Sequence, residues 1–120
     1  MYFGALIVGG GVISLNGGTF NKTAAPSGGN VTSDTVTPLV PGGSGTLKIS
    51  GFSFSGTVLT QFSKNAAAFS ALVDGDTIGL VPGDTLALRG TGMTAGESWT
   101  FTVLDNVRGV SLGTFSIIAS

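Results

Sequence analysis

The chain has 120 residues, 42% of them hydrophobic, 9% charged, with a formal net charge of −1 and neither Cys nor His. That length makes one domain with a single core, and the missing Cys and His exclude disulfides, Cys/His zinc sites, Cys nucleophiles and His-based acid–base chemistry within it. The five cations (Lys22, Lys48, Lys64, Arg89 and Arg108) stand singly along the chain, so nothing marks the clustered basic face that phosphate binding requires, and nucleic acid is not the expected partner.

Tyr2–Leu15 is apolar without a helical period. It is a poor export signal, because no cation precedes it and Gly4, Gly9, Gly10 and Gly11 interrupt it. It also falls short of the ~20 residues that cross a bilayer, so no membrane partner is expected. The run Ile7-Val8-Gly9-Gly10-Gly11 brings a dinucleotide fingerprint to mind. The required pattern opens a helix, whereas Ser14 stands at the last glycine position and Asn16-Gly17-Gly18 follows. The segment reads instead as a β-like arm in two pieces, hinged at its central glycines.

Residues 16–44 are rich in Gly, Ser, Thr, Asn and Pro and read as a linker or long loop. Val31-Thr32 and Thr35–Thr37 could each supply a short edge strand. Asn21-Lys22-Thr23 and Asn30-Val31-Thr32 match the glycosylation sequon, which arises readily by chance in a chain this rich in Asn and Thr.

From residue 45 onward the pattern becomes that of short strands. Thr46–Phe54 alternates and changes parity at Gly51, which predicts a bulged strand. Ser55-Gly56 is a turn into a second strand over Thr57–Phe62. Lys64–Val73, with three alanines, fits either a helical turn or a strand. Asp74-Gly75-Asp76-Thr77-Ile78 is repeated eight residues on as Pro82-Gly83-Asp84-Thr85-Leu86, and more loosely as Ala95-Gly96-Glu97-Ser98-Trp99. Each copy is a glycine turn, an acid, a hydroxyl residue and an apolar strand start. The first two launch strands Ile78–Val81 and Leu86–Leu88, which read as a β-meander step. Ser98–Leu104 is the clearest strand, with Trp99, Phe101 and Val103 on one face. Val110–Ile118 closes the chain, with a bulge expected at Gly113. Strands at this spacing predict an all-β fold: a small antiparallel β-sandwich, jelly-roll-like or Ig-like, over residues 45–120, with an extended N-terminal arm over residues 1–15.

The acids offer little chemistry. Asp74 and Asp76 could give two oxygens to Ca²⁺, which takes six to eight. Asp76, Asp84 and Glu97 could form a carboxylate pair, yet their recurrence at one position of a repeated turn explains them without catalysis. A Ser–Lys pair using Lys48 or Lys64 lacks any sign of an oxyanion hole. Trp99 could stack on a sugar, but its alternation with Phe101 and Val103 places it in the core. No enzyme, cofactor or metal site is expected.

The succession of an apolar arm (Tyr2–Leu15), a Gly/Ser/Thr/Pro tract (Asn16–Pro41) and a small β-domain (Thr46–Ile118), without Cys or His, resembles small structural proteins of bacteriophage particles. These are the head decoration, cement and minor capsid proteins. The resemblance implies a virion location and a trimer or pentamer seated on a shell, with a major capsid protein or other virion subunits as partners. It also implies termini that reach neighbouring subunits. Apart from the resemblance, an apolar segment set off by a polar tract makes Tyr2, Phe3, Leu6, Ile7 and Val8 the expected protein contacts, by adding a strand to a neighbour's open sheet edge; the alternative is that they form an ordinary core strand of their own domain. The alternative class is a carbohydrate-binding or adhesive β-sandwich module, which calls for exposed aromatic side chains in a groove.

Overall fold

A computed structural model describes residues 11–120, and among them it contains strands and turns but no helix. The strands are β1 (Lys22–Ala24), β2 (Val31–Thr32), β3 (Gly45–Ser55), β4 (Leu59–Lys64), β5 (Ser70–Ala71), β6 (Thr77–Leu80), β7 (Leu86–Thr91), β8 (Ser98–Asp105) and β9 (Val110–Ala119). They form a five-stranded sheet in the order β1-β9-β8-β3-β6 and a four-stranded sheet in the order β2-β7-β4-β5. All pairs are antiparallel except β1 with β9. The all-β sandwich expected from strand spacing is therefore the architecture observed.

Strand order decides between the two sandwich types. With β2, β3, β4, β7, β8 and β9 taken as strands B to G, one sheet holds B-E-D and the other C-F-G. That is the immunoglobulin partition, with β5 and β6 inserted between D and E. The B–F disulfide of antibody domains has no counterpart in a chain without Cys. Trp99 on β8, 0% exposed, stands against Phe101 at a ring separation of 4.3 Å.

The core lies between the sheets. β8 alternates perfectly, burying Trp99, Phe101, Val103 and Asp105. β3 contributes Leu47 and Ile49, β7 Leu86 and Leu88, and β9 Phe115 and Ile117. The β3 bulge falls where its parity change predicts: the register with β8 shifts between Ser50 and Ser53, with Gly51 at φ 67°. A bulge frees backbone donors, and here Asp74 accepts from the amides of Gly51 (3.0 Å) and Phe52 (3.3 Å). The β9 register likewise shifts at Gly113.

Residues 16–44, read from sequence as a linker or long loop, contain the short strands β1 and β2 and are packed in side chain. Phe20 is fully buried and meets Phe115 edge-on at 5.6 Å, and Val31, Val36 and Val40 are buried with it. Ile13 and Leu15 belong to the same core. The Ile13 side chain lies over Gly45, where an added Cβ would come within 2.7 Å of its Cδ1. The domain body thus begins by Ile13 rather than at residue 45.

Two local expectations are corrected. Ile78–Val81 and Leu86–Leu88 do not form a meander step, because β6 and β7 lie in different sheets. Thr57–Phe62 becomes β4 over Leu59–Lys64 and likewise lies in the sheet opposite β3. Lys64–Val73 resolves into a turn and the two-residue β5. In that turn Asn65 and Ala66 both have positive φ, 55° and 60°.

Phe20→Ala is expected to cost about 3–5 kcal/mol, the range for truncating a buried aromatic. Urea denaturation checks this, and a loss near zero would place the tract outside the cooperative unit.

Candidate functional site

The three repeated acid turns share one geometry. In each, the acid's own amide donates to the carbonyl three residues back: Asp76 to Val73 (2.9 Å), Asp84 to Val81 (3.1 Å) and Glu97 to Thr94 (3.1 Å). In each, the acid's carboxylate accepts from the amide of that same residue: Val73 (2.8 Å), Val81 (2.9 Å) and Thr94 (2.9 Å). The glycine before the acid stands at φ 95° (Gly75), 93° (Gly83) or 92° (Gly96). These are the features of a type II turn, which needs positive φ at its third residue. Type II turns splay their flanking strands instead of closing a hairpin. All three units lie where the chain passes between sheets: β5 to β6, β6 to β7 and β7 to β8. The repeat is a corner, which is why it did not produce a meander.

The second oxygens of Asp84 and Glu97 reach other connections. Asp84 Oδ1 accepts from Asn65 Nδ2 (2.9 Å), in the β4–β5 turn, and Glu97 Oε2 accepts from the amide of Thr57 (3.3 Å), in the β3–β4 turn. Asp34 pairs with Lys22 at 2.9 Å. Asp105 is buried, and takes the amides of Ile13 (3.0 Å), Val107 (3.0 Å) and Arg108 (3.1 Å) as well as the Arg108 guanidinium at 3.5 Å. Every acid of the sequence therefore has a structural partner. Among the described residues no group of three or more Asp, Glu, His or Cys is placed to hold a metal ion. Ser63 donates to the Ala67 carbonyl (2.6 Å) and Lys64 lies 3.5 Å from Asp84, so neither faces the other as a nucleophile and base would.

These contacts set the carboxyl pKa values. Asp84 is held below its ordinary value by the Val81 amide first, then by Asn65 and Lys64. Glu97 is lowered mainly by the Thr94 and Thr57 amides. Burial alone would push Asp105 up, but the amides of Ile13, Arg108 and Val107 together with the Arg108 charge hold it low.

The surface offers a different kind of site. Cross-strand registers on the outer face of the five-stranded sheet align Ser50–Thr102–Thr114 and Ser53–Thr100–Ser116 in adjacent rows. Thr100 Oγ1 and Ser116 Oγ are 2.8 Å apart, and Thr102 Oγ1 and Thr114 Oγ1 3.1 Å. Hydroxyls already paired with one another lose less when a neighbour displaces their water. Lys48 is the one charged residue at an outward position of β3, β6, β8 or β9. No sequence pattern announced this face, because its rows join the β8–β9 hairpin to β3, which is distant in the chain.

Trp99 is turned inward, so it offers no platform to a sugar; Phe54, at 46% exposure, is the accessible large aromatic at that end of β3. An open recess beside the point of chain entry is lined by Gly42, Ser44, Gly45, Thr46, Val107 and Arg108. Its charged member, Arg108, is drawn towards Asp105. The residues expected to make protein contacts, Tyr2, Phe3, Leu6, Ile7 and Val8, lie outside the described residues.

No protein-family model, curated protein or solved structure matches the chain.

The lowered carboxyl values fix the pH dependence of stability. A carboxylate with a depressed folded pKa stabilises above its unfolded value, and that contribution disappears as pH falls through the folded one. With starting values of 3.8 for Asp84 and Asp105 and 4.5 for Glu97, and no His to titrate, the melting temperature should be level from neutrality to about pH 5 and fall below it. Calorimetry across that range checks the sign, and a melting temperature that rises on acidification below pH 4 would refute it.

The turn geometry makes a second prediction. Gly83→Ala should cost about 1–2 kcal/mol, the penalty for an L side chain in left-handed backbone. Gly79→Ala, in β6 with open space around the new Cβ, should be neutral or stabilising by up to about 1 kcal/mol. Paired denaturation curves check the opposite signs.

Proposed function

We propose that the chain is a structural subunit of a larger assembly, of the capsid decoration or cement kind, and acts by covering surface rather than by chemistry. The observation that carries the reading is the outer face of the five-stranded sheet. It is extended, almost free of charge, and carries hydroxyls already paired with one another. Such a face is inexpensive to desolvate and suits burial against a neighbour. The chain's acids support the same reading, since their carboxylates are used to close its own corners. Its partners in this reading are further copies of itself, as a trimer or pentamer, and a major shell protein. The N-terminal residues Tyr2, Phe3, Leu6, Ile7 and Val8 supply the anchoring contact.

Particle occupancy tests the proposal. Ser53 and Thr114 are exposed on the outer face, so Ser53→Lys with Thr114→Lys should leave the circular dichroism spectrum and melting temperature near wild type. The same pair should strip the protein from purified particles. Because Ile13 and Leu15 are core residues, the matching arm deletion removes residues 1–10 only and should likewise lower occupancy. Full occupancy of both folded variants would refute the reading.

A further inference from the structure

We propose that the outer edge of β6, which no strand among the described residues pairs, accepts the apolar segment Tyr2–Val8 of a second copy as an added strand. This rests on the assembly reading above and names the surface that the N-terminal segment would engage.

The sheet edges are not equivalent. β1, β2 and β5 span three, two and two residues, and edges this short offer few groups to pair with. β1 also carries Lys22, held on Asp34. Beyond its pairing with β1, β9 continues as an edge, but the register shift at Gly113 breaks its run. β6, four residues long, is the longest of the four strands that end the sheets. Thr77–Leu80 contains no charged residue, no proline and no bulge against β3. Ile49 donates to Asp76 and Leu47 lies opposite Ile78. The alternation of an antiparallel ladder then directs the amides and carbonyls of Ile78 and Leu80 towards β3, and those of Thr77 and Gly79 outward. At Gly79 nothing stands within 4 Å of where a Cβ would be. Asp76 and Asp84, which flank the strand, are turned into their own corners. Val73 and Val81, which open the corners on either side of β6, are 63% and 50% exposed. An uncharged, unbulged edge between two exposed valines is the kind to which a strand adds.

The occupant follows from what the rest of the chain supplies and where it enters. Tyr2–Val8 is uncharged and apolar apart from the Tyr2 hydroxyl, and long enough to match Thr77–Leu80. The chain enters the body at Ile13, whose amide is held by Asp105 and whose side chain lies over Gly45. Gly45 is paired with Leu80, so a segment folding back onto its own β6 starts from the Leu80 end and runs parallel to it. That course lays Gly9 and Gly10 against the strand and carries Tyr2 and Phe3 past its far end. A second copy's segment has no such tether. It can run antiparallel, which gives the slightly more stable ladder, with Leu6, Ile7 and Val8 across Thr77–Leu80.

The chain has no Cys, so introduced thiols report on this contact alone. The experiment uses full-length Ile7→Cys, Gly79→Cys and the double variant, oxidised mildly over a dilution series, with folding followed by circular dichroism. The expected result is interchain disulfide-linked species in the double variant, several-fold more abundant than in either single variant and declining on dilution. Three results would overturn the proposal. One is a concentration-independent bridge within single chains, which places the segment on its own body. Another is equally efficient dimerisation of Gly79→Cys alone, which pairs edge with edge. The last is folded double variant with no cross-link. Light scattering and particle occupancy of the unmodified protein separate this from the broader reading. Assembly that persists without a cross-link at position 79 rejects β6 alone, and absence of assembly rejects both.

Discussion

The carboxylate that returns to the amide three residues back, at Asp76, Asp84 and Glu97, governs the shape of this molecule. An ordinary type II turn leaves that amide to water or to the next strand. Here the side chain takes it, the backbone bond closes the other side, and the corner becomes a small ring with two hydrogen bonds. A ring of this kind points its two strands apart. The chain therefore changes sheet at each copy, and two sheets must face each other. Glu97 and Asp84 extend the effect by holding a second connection with the remaining oxygen. The corners of the sandwich are thus linked to one another as well as closed.

This use of charge shapes the surface. Only 9% of the residues are charged, and most of the acids are engaged with backbone amides. The broad outer face is rich in Ser and Thr, with two hydroxyl pairs formed across β8 and β9. Surfaces that must stay apart in solution usually carry scattered charges of both signs. The near-absence of charge on this face and the uncharged edge at β6 are two expressions of one economy, and the outward groups of Thr77 and Gly79 make the edge continuous with the face.

Much of the fold could be read from the residues. β8 was legible because strict alternation of Trp99, Phe101 and Val103 with threonines has one interpretation. The bulge of β3 was legible because a parity change at a glycine has few others. What escaped was long-range. Nothing local in Pro82-Gly83-Asp84 tells which sheet the next strand joins; only the bond from Asp84 to Val81, and the splay that it enforces, does so. Phe20, Val36 and Val40 escaped because they are scattered through a polar tract and their burial follows no repeating period. Ala66 adopts positive φ at a residue whose propensity gives no warning. Asp105 closes the turn after β8 by accepting from the amides of Val107 and Arg108. Its second role, holding the Ile13 amide 92 positions earlier in the chain, has no signature in sequence. The hydroxyl face escaped for the same reason, being assembled from rows that exist only once β3, β8 and β9 are side by side.

The parallel pairing of β1 with β9 has a mechanical consequence. Lys22, Thr23 and Ala24 lie beside Ile117, Ile118 and Ala119, and the Ser120 amide reaches the Ala24 carbonyl. Tension carried through the domain from its N-terminal side to its last residue pulls these two strands in opposite directions along their length. Their hydrogen bonds are then loaded together in shear, where a hairpin pulled from its open end would lose them one after another. A subunit gripped through its first residues and held down by the rest of its body would meet strain with its most resistant geometry.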